Sequence, residues 1–448
     1  MSDISKHLLE TDLFRIEIGS MSEGEKIALA YKRARAIARA YDFTVKDIAA
    51  LSPKFWTYHR DLINPADMAA FTLITIQYNL AAGTLAPFIE KRPDLQELMD
   101  KILSFEVSAQ FLLTEVGHGL DAKNLETTAT LLANGDFELH TLTRRAAKVL
   151  PRRAGSKPLD HSITSFCHVR LPSTALLGEI NDSPNFHTTI HRVHIGTLAL
   201  STVLIPQLQH AVYVAGKYSL RRHITDPSGI TKPIASFRTQ QAPILHCIAQ
   251  IKVYDAFANE CTRIFMDNNI QYSVRHGIAA TFKAVVTHAS QETLYALAER
   301  CGAQGLFEYN GIIESQLTAR GISIAEGDML VLTILKAVGN RLAYEAALDA
   351  GVDRDILDLY EAGVLLQSPD LGVDEIGIIL SGRIHMERLA MNAISRRLEQ
   401  LLDSIGAEPY ITAPILTEES WEAFLDKLPQ YGDKPYIGDI DAAASSRL

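Results

Sequence analysis

The stretch RVHIGTLALSTVLIPQLQHAVYVAGKYSLRR, residues 192–222, decides the fold class of this 448-residue chain. Its Ala, Leu, Ile and Val residues recur at the spacing of one helix face, which predicts a long amphipathic helix. Residues 240–269 have the same character, and further helices are predicted over residues 291–301 and 327–350. These segments predict a C-terminal helical bundle.

The N-terminal part of the chain is predicted to be helical as well. Ser22 and Glu25 form a capping-box pattern before an apolar run with helical spacing, and helical pattern continues over residues 65–113. The other faces of the first helix carry basic side chains, namely Lys32, Arg33, Arg35 and Arg39. We interpret them as a solvated helix face, and a patch that binds an anionic ligand is the alternative.

A β segment is predicted between the two helical regions. From Thr114 onward, Gly and Thr become frequent and polar residues alternate with apolar ones. Asn134, Gly135 and Asp136 stand between two strand-like runs, as in a hairpin turn. Residues 114–172 have room for only about five or six strands of ordinary length.

The predicted fold class is therefore α+β, mostly α. The predicted parts are an N-terminal helical domain (residues 1–113), a short middle β-domain (114–174), a C-terminal helical bundle (175–352) and a C-terminal helical extension with a tail (353–448). A hydrophobic content of 47% and a charged content of 21% are typical of a globular chain. They argue against a disordered or fibrous protein.

Charge and apolar length exclude two classes of partner. The formal net charge is −10, and Lys and Arg are spread without a long basic run, so nucleic acid is not an expected ligand. The longest apolar stretch, residues 195–206, is only about 12 residues long, whereas a membrane span needs roughly 20. The sequence therefore predicts neither a nucleic-acid partner nor a membrane span.

The Cys and His residues do not favour a metal site. The cysteines form no CxxC pair, and we expect buried free thiols at Cys167, Cys247, Cys261 and Cys301. His187, His191 and His194 share a helix face at metal-ligand spacing, but no Glu or Cys is spaced to complete the set. Structural or surface histidines are the prediction, with a metal site as the alternative.

The last three residues, Ser446, Arg447 and Leu448, form a small–basic–leucine tripeptide. An import receptor reads tripeptides of the S-K-L type at the extreme C-terminus as a peroxisomal address. The sequence therefore predicts a peroxisomal location, with a cytoplasmic one as the alternative.

The most distinctive motif is LLTEVGHGLDAKNLETTAT, residues 112–130, in which two close glycines let the backbone approach a flat or phosphorylated ligand. It resembles the TE-x-G-H-G segment of the acyl-CoA oxidase and acyl-CoA dehydrogenase superfamily of FAD enzymes. Further strings resemble the family's later motifs in the same order: HVRLP, YSLRRHI, FRTQQAPILHCIA, ERCGAQGLFEYNG and IAEGDMLVL. Within the superfamily, the chain resembles a fungal branch from secondary-metabolite gene clusters.

The resemblance implies an FAD-dependent oxidation of an acyl-CoA or acyl-carrier thioester to the 2,3-enoyl thioester. The electrons would pass to O2 or to an electron-transfer partner, in a tailoring step of polyketide or toxin biosynthesis. The family's Arg motif reaches the FAD of a neighbouring subunit, which implies a homodimer or homotetramer. The residues that would contact FAD are Thr114 and Gly119 at the flavin, Arg221 or Arg222 with Gln241, and Gly302 and Gly305 in the cofactor loop.

By the same resemblance, Glu326 would be the catalytic base. Removing the α-proton of a thioester needs a carboxylate with a raised pKa, which burial beside an acyl chain supplies. From its position alone, Glu326 is better interpreted as an acid at a helix N-terminus that the helix dipole stabilises. The order of the family motifs favours catalysis.

The chain departs from the family pattern in two places. Ala147 and Lys148 are followed almost at once by the SKPLDH string, so the β-domain is shorter than the family's. Ala303 and Gln304 stand where the family usually has Gly and His. The alternative function is therefore a catalytically impaired homologue that acts as a structural or binding protein, and a generic helical binding module is a third hypothesis.

Overall fold

The computed structural model describes residues 4–15, 21–119, 121–149, 157–180, 189–325, 335–367 and 380–427, and the structural statements below refer to them. Three predicted features fall outside these residues: Glu326, His187 and the C-terminal tripeptide of residues 446–448. The limits of the predicted domains remain predictions.

Seven α-helices form the described N-terminal part. They are α1 Asp12–Arg15, α2 Glu23–Tyr41, α3 Val45–Ala49, α4 Pro53–His59, α5 Met68–Thr75, α6 Gly83–Leu85 and α7 Gln96–Leu103, with a π-helix at Ile76–Ala82 between α5 and α6. The capping box is confirmed, because Ser22 N donates to Glu25 Oε2 at 2.8 Å and Ser22 Oγ accepts from Glu25 N. The helices pack through apolar faces into one core with the C-terminal bundle.

The prediction of a solvated basic face was wrong for Arg33. Its side chain is buried, and its Nη1 lies 2.9 Å from Asp67 Oδ2. Its Nε donates to the carbonyl of Leu13 at 3.0 Å. Because the partner carboxylate is far along the chain, helical spacing could not reveal that this basic residue faces inward.

Seven short strands form three antiparallel sheets in the described part of the chain. They are β1 Thr128–Leu131, β2 Phe137–His140, β3 Lys148–Val149, β4 Ile163–Thr164, β5 Val169–Leu171, β6 His223–Thr225 and β7 Thr231–Pro233, paired as β1-β2-β5, β3-β4 and β6-β7. The predicted hairpin is confirmed, with Leu131 opposite Phe137 and Gly135 at φ 87° in the turn.

The middle sheets are small and open. All of β1 is exposed, and Leu131 and Val169 are 47% and 39% exposed. The first strand begins at Thr128 and not near Thr114, since the intervening residues form a loop. Five strands lie within residues 114–172, in agreement with the limited room that the sequence indicates.

Ten further helices make up the described C-terminal part. They are α8 His191–Thr202, α9 Leu204–Arg221, α10 Arg238–Met266, α11 Tyr272–Arg300, α12 Ile312–Ile324, α13 Leu335–Asp349, α14 Arg354–Leu366, α15 Leu380–Ser395, α16 Leu398–Asp403 and α17 Glu418–Lys427. The prediction for residues 291–301 captured only the end of α11. Residues 281–287 are all buried, so the middle of α11 has no polar face and lacks an amphipathic pattern.

The run from α8 through α9 is long and apolar enough to cross a membrane by length and composition. Within it, 89% of the most apolar window is buried inside the fold. Core helices of globular proteins pass the same test, so the run is weak evidence for a membrane span.

Arg192, near the start of α8, connects the bundle to the N-terminal helices. Its Nε donates to the carbonyl of Asn79 at 2.7 Å, and its Nη1 to the carbonyl of Ile48 at 3.2 Å. The Asn79 amide returns a bond to the Arg192 carbonyl at 3.0 Å. Gly83 is required beside it, because a Cβ there would lie 1.9 Å from Arg192 Nε.

Three of the four predicted buried thiols are confirmed, and the fourth prediction was wrong. Cys247, Cys261 and Cys301 are buried, whereas Cys167 is exposed in the loop before β5. Cys167 lies in a loop of the open middle sheets, and these sheets are too small to cover its side chain.

Candidate active site

The loop that carries Thr114 and Gly119 lies between α7 and β1, and both residues are exposed. Its anchor is the neighbouring Glu115, which is 1% exposed. The Glu115 carboxylate accepts from Lys148 Nζ at 2.8 Å, and from the backbone N–H groups of Glu126 at 2.8 Å and Thr127 at 3.0 Å. The two residues of the Thr–Glu pair therefore have different roles. Glu115 fixes the loop, and Thr114 lies at the surface.

Several contacts keep Glu115 ionised and the loop ordered. Burial raises the pKa of Glu115, but the backbone bond from Glu126, the Lys148 ammonium and the bonds from Thr127 outweigh it and lower the pKa to about 2. His118 Nε2 lies 2.8 Å from Glu126 Oε1, within the same loop. Among the described residues, no atom would lie within 4 Å of a Cβ at Gly119, so they leave room beside this glycine for a ligand.

A second group of predicted residues gathers at one end of the helical bundle. Gln240 Nε2 donates to Ser219 Oγ at 2.8 Å and to the carbonyl of Arg300 at 2.7 Å. Arg300 Nη1 donates to the carbonyl of Thr239 at 3.0 Å. These bonds bring together the end of α9, the start of α10 and the end of α11, and with them Arg221, Gln241 and the Gly302–Leu306 turn.

The polar groups of this end are partly engaged within the chain. Gln241 Nε2 donates to the carbonyl of Ala235 at 2.8 Å, and Arg221 Nη1 forms an ion pair with Glu418 of α17. Arg222 is exposed. The Nε atoms of Arg221 and Arg300 are buried without a hydrogen-bond partner in the described part of the chain.

Different structural constraints apply at the two predicted glycines of this end. Gly302 has φ 58°, a left-handed conformation, and a Cβ there would meet no atom of the described residues within 4 Å. A Cβ at Gly305 would lie 2.1 Å from the carbonyl oxygen of Ala298. Gly305 is therefore required by the close approach of its own backbone to α11, with or without a cofactor.

Two buried titratable residues were missed in the sequence. Glu314 of α12 is 9% exposed, its Oε1 has no partner among the described residues, and its Oε2 lies 3.6 Å from Lys157 Nζ. Burial raises the pKa of Glu314, although Lys157 opposes this. Nearby His210, whose ring would contact a Cβ at Gly311, has its pKa lowered to about 4 by burial. The available signal was a charged residue directly after two isoleucines, Ile312 and Ile313, in the predicted helical region.

A cavity of about 600 Å³ lies elsewhere, between α4, α9 and α10. Lys54, Arg60, Asp61 and Asp255 are among its lining residues. Arg60 Nη1 lies 3.2 Å from Asp255 Oδ1, so part of the positive charge is already neutralised. None of the predicted site residues lines it.

Comparison with known proteins shows what this geometry is similar to. Residues 192–338 match the family model of the acyl-CoA oxidase C-alpha1 domain. This part of the chain is identified as such a domain. The match spans α8 to α12, and with them Arg221, Gln241, Gly302 and Gly305.

Similar proteins agree on the fold. Acyl-coenzyme A oxidase acox-1.1 of Caenorhabditis elegans is 23% identical over 307 residues, covering 52% of this chain and 45% of the relative, so the chain spans just under half of that protein's length. Acyl-CoA oxidase 3 of Yarrowia lipolytica has a TM-score of 0.73 at 13% identity, over 99% of this chain and 92% of the other. Acyl-CoA oxidase-1 of Caenorhabditis elegans, solved with FAD and ATP, has a TM-score of 0.56 at 16% identity, over 96% and 76%.

The donor set at the end of the bundle fits the phosphate part of a dinucleotide. It offers guanidinium groups at Arg221 and Arg300 whose Nε atoms are buried without a partner among the described residues. Guanidinium is well suited to phosphate oxygens. No hydrogen bond or ion pair within the described ranges joins Thr114 or Gly119 to this end, so the two predicted halves of the site are held by separate contacts.

Proposed function

We propose that this chain is a flavoprotein of the acyl-CoA oxidase type. It would oxidise an acyl-CoA or acyl-carrier thioester to the 2,3-enoyl thioester with FAD as its cofactor. The observation that carries the proposal is the match of residues 192–338 to the acyl-CoA oxidase C-alpha1 domain, which contains the guanidinium and glycine residues of the bundle end. The FAD in the solved Caenorhabditis elegans acyl-CoA oxidase-1, a protein of the same fold, supports this cofactor.

The residues of the chain have separate tasks in this proposal. Arg221 and Gln241 bind the phosphate part of FAD, and the Thr114 hydroxyl bonds to the flavin edge. Glu326 removes the α-proton of the thioester, for which a carboxylate in a water-poor site is suited because desolvation raises its pKa. FAD, when bound, supplies the electron-accepting chemistry of the oxidation. Glu115 keeps the Thr114 loop in position through Lys148.

The finer parts of the proposal rest on sequence features. The tripeptide of residues 446–448 supports a peroxisomal site of action, and with it O2 as the electron acceptor. The resemblance to the fungal branch supports a tailoring step in secondary metabolism. A homodimer or homotetramer follows from the Arg motif of residues 218–224, and sedimentation as a monomer would contradict it.

The test is the visible absorption of the purified chain with added FAD, followed by reaction with an acyl-CoA under air. We expect flavin bands that bleach with substrate, and Glu326→Gln should abolish the bleaching but keep the colour. Asp328→Asn, two residues away, is the matched control and should still bleach. Bleaching by the Glu326→Gln variant would refute the assignment of the base.

One observation favours a second candidate, the catalytically impaired homologue. The middle sheets are small, β1 is exposed along its whole length, and Arg221 is engaged by Glu418. A sheet of this size offers little surface to cover a flavin. A purified chain that takes up no FAD over a wide range of concentrations would support this candidate against the enzyme.

A further inference from the structure

We propose that α17 is a displaceable strap across the phosphate-binding end of the bundle, in which the Glu418 carboxylate occupies the position of an anionic group of the ligand. The proposal rests on the proposed function, because it concerns the regulation of the same site. The ligand class is a dinucleotide that carries a pyrophosphate. Opening of the strap would release Arg221 for this ligand.

The first attachment of α17 is the ion pair between Glu418 and Arg221. The Arg221 side chain is 21% exposed and that of Glu418 is 63% exposed, so the pair lies at the surface. Surface ion pairs of this kind contribute little stability and are screened by salt. An anion with more charge than one carboxylate, such as a pyrophosphate, would compete effectively for the same guanidinium.

The second attachment is aromatic. The ring centroids of Phe424 and Tyr309 lie 4.5 Å apart. Within α17, Trp421 stacks on Phe424 with ring centroids 5.7 Å apart. Tyr309 lies three residues after the Gly302–Leu306 turn that contains the predicted cofactor glycines. The helix therefore extends from the end of α9 to the neighbourhood of this turn, and these two attachments are made next to the elements that would bind FAD.

The contacts of α17 lie mostly at the surface, with Trp421 half-buried against the core, and the segment before the helix is firmly held. No residue of α17 is buried, whereas Ala413 and Ile415, just before it, are 3% and 0% exposed. Ser420 Oγ donates to the carbonyl of Pro414 at 2.8 Å, which fixes the first turn of the helix near this segment. Segments with few buried contacts open locally at low free-energy cost, so α17 can leave the site without unfolding the bundle.

Charge complementarity explains why this helix covers this end. The strap carries an excess of acidic residues, namely Glu418, Glu419, Glu422 and Asp426 against Lys427. The end of α9 and of α11 presents Arg221, Arg222 and Arg300. The acidic helix thus compensates a basic surface that a pyrophosphate would otherwise neutralise.

The test compares the affinity for FAD, and for ADP as a smaller probe, between the wild-type chain, Glu418→Gln and Glu419→Gln. A closed strap lowers the fraction of molecules whose Arg221 is free to bind a phosphate. Glu418→Gln should therefore bind both probes about two- to fivefold more tightly, which matches the small energy of a surface ion pair. Glu419→Gln removes the same charge from the adjacent position of α17 and should bind like the wild type. Equal affinity of all three chains for FAD would overturn the strap and leave the proposed function intact.

A second measurement separates the two proposals. Inorganic pyrophosphate should speed hydrogen exchange of the α17 amides in the wild type, and should have no such effect in Arg221→Gln. If none of the chains binds FAD but pyrophosphate still accelerates exchange, the proposed cofactor is wrong and the strap stands. If pyrophosphate leaves the exchange of α17 unchanged, the strap is refuted whatever FAD does.

Discussion

Lys148 and Glu115 form a buried ion pair of 2.8 Å, in which the side chains are 7% and 0% exposed. The pair joins the loop that carries Thr114 to β3, two segments that are more than thirty residues apart. The Glu of the Thr–Glu motif therefore has a structural task in this chain. The contribution of the Glu115–Lys148 pair to stability can be measured, and so can the pH dependence of that contribution.

Replacement of Glu115 by Ala should lower the free energy of unfolding by about 3–5 kcal/mol, because it leaves Lys148 buried without its partner. Urea denaturation measures this loss. Glu97→Ala is the control, since Glu97 pairs with Lys101 at the surface with 81% and 45% of the side chains exposed, and its loss should be much smaller than that of Glu115→Ala. A similar small loss for both variants would contradict the buried pair.

The lowered pKa of the Glu115 carboxyl predicts that acid destabilises the fold around this loop. The pKa of Glu115 is lowered from 4.5 to about 2 in the folded chain, so its contribution to stability is present above pH 4.5 and is lost as the pH falls toward 2. Urea midpoints of the wild type should fall more steeply in this window than those of Glu115→Gln. Parallel curves for the two chains would refute the assignment.

Glu314 should show the opposite pH dependence. Burial raises its pKa above 4.5, so the folded chain binds its proton more tightly than the unfolded one, and the fold loses stability as the pH rises above 4.5. Glu314→Gln removes this loss, and its advantage over the wild type in urea should grow between pH 4 and pH 8. An advantage that shrinks with pH would contradict the raised pKa.

The two glycines of the predicted cofactor loop should respond differently to alanine. Gly305→Ala forces a Cβ against the Ala298 carbonyl, a backbone group that cannot move aside, and should cost about 2–3 kcal/mol of stability. Gly302→Ala meets open space and should cost only about 1 kcal/mol, for its left-handed conformation. Thermal unfolding of the two variants decides this. A larger loss at Gly302 would show that contacts other than the Ala298 carbonyl determine the loop.

Arg192 should be among the residues on which the junction of the two helical regions depends. Arg192→Met would leave the carbonyls of Asn79 and Ile48 without their donor, at roughly 1–3 kcal/mol for each buried group. Arg341→Met is the control, because the Arg341 side chain is 81% exposed and pairs with Glu345. Urea denaturation of both variants tests the difference, and equal midpoints would argue against the role of Arg192.

Local pattern in the sequence was enough for α8, α9 and α10, for the hairpin and for the resemblance to the acyl-CoA oxidases. The run over residues 192–222 predicts helix because its apolar residues recur at helical spacing, although the structure buries α8 and α9 on nearly all sides, and the turn at Gly135 is encoded within three residues. The ordered motifs also identified the residues that meet at the end of α9, α10 and α11. Each of these features depends on neighbours in the chain or on their order.

Only the tertiary structure decided which charged residues are buried and what they contact. Arg33 reaches Asp67, Glu115 reaches Lys148, and Arg221 reaches Glu418, a residue 197 positions away. Such pairs leave no periodic pattern and no motif in the sequence, because their energy depends on desolvation and distance in the folded chain. The sequence by itself determined the helical fold and the resemblance to the acyl-CoA oxidases, and packing between distant segments determined which predicted ligand groups are open and which the chain itself engages.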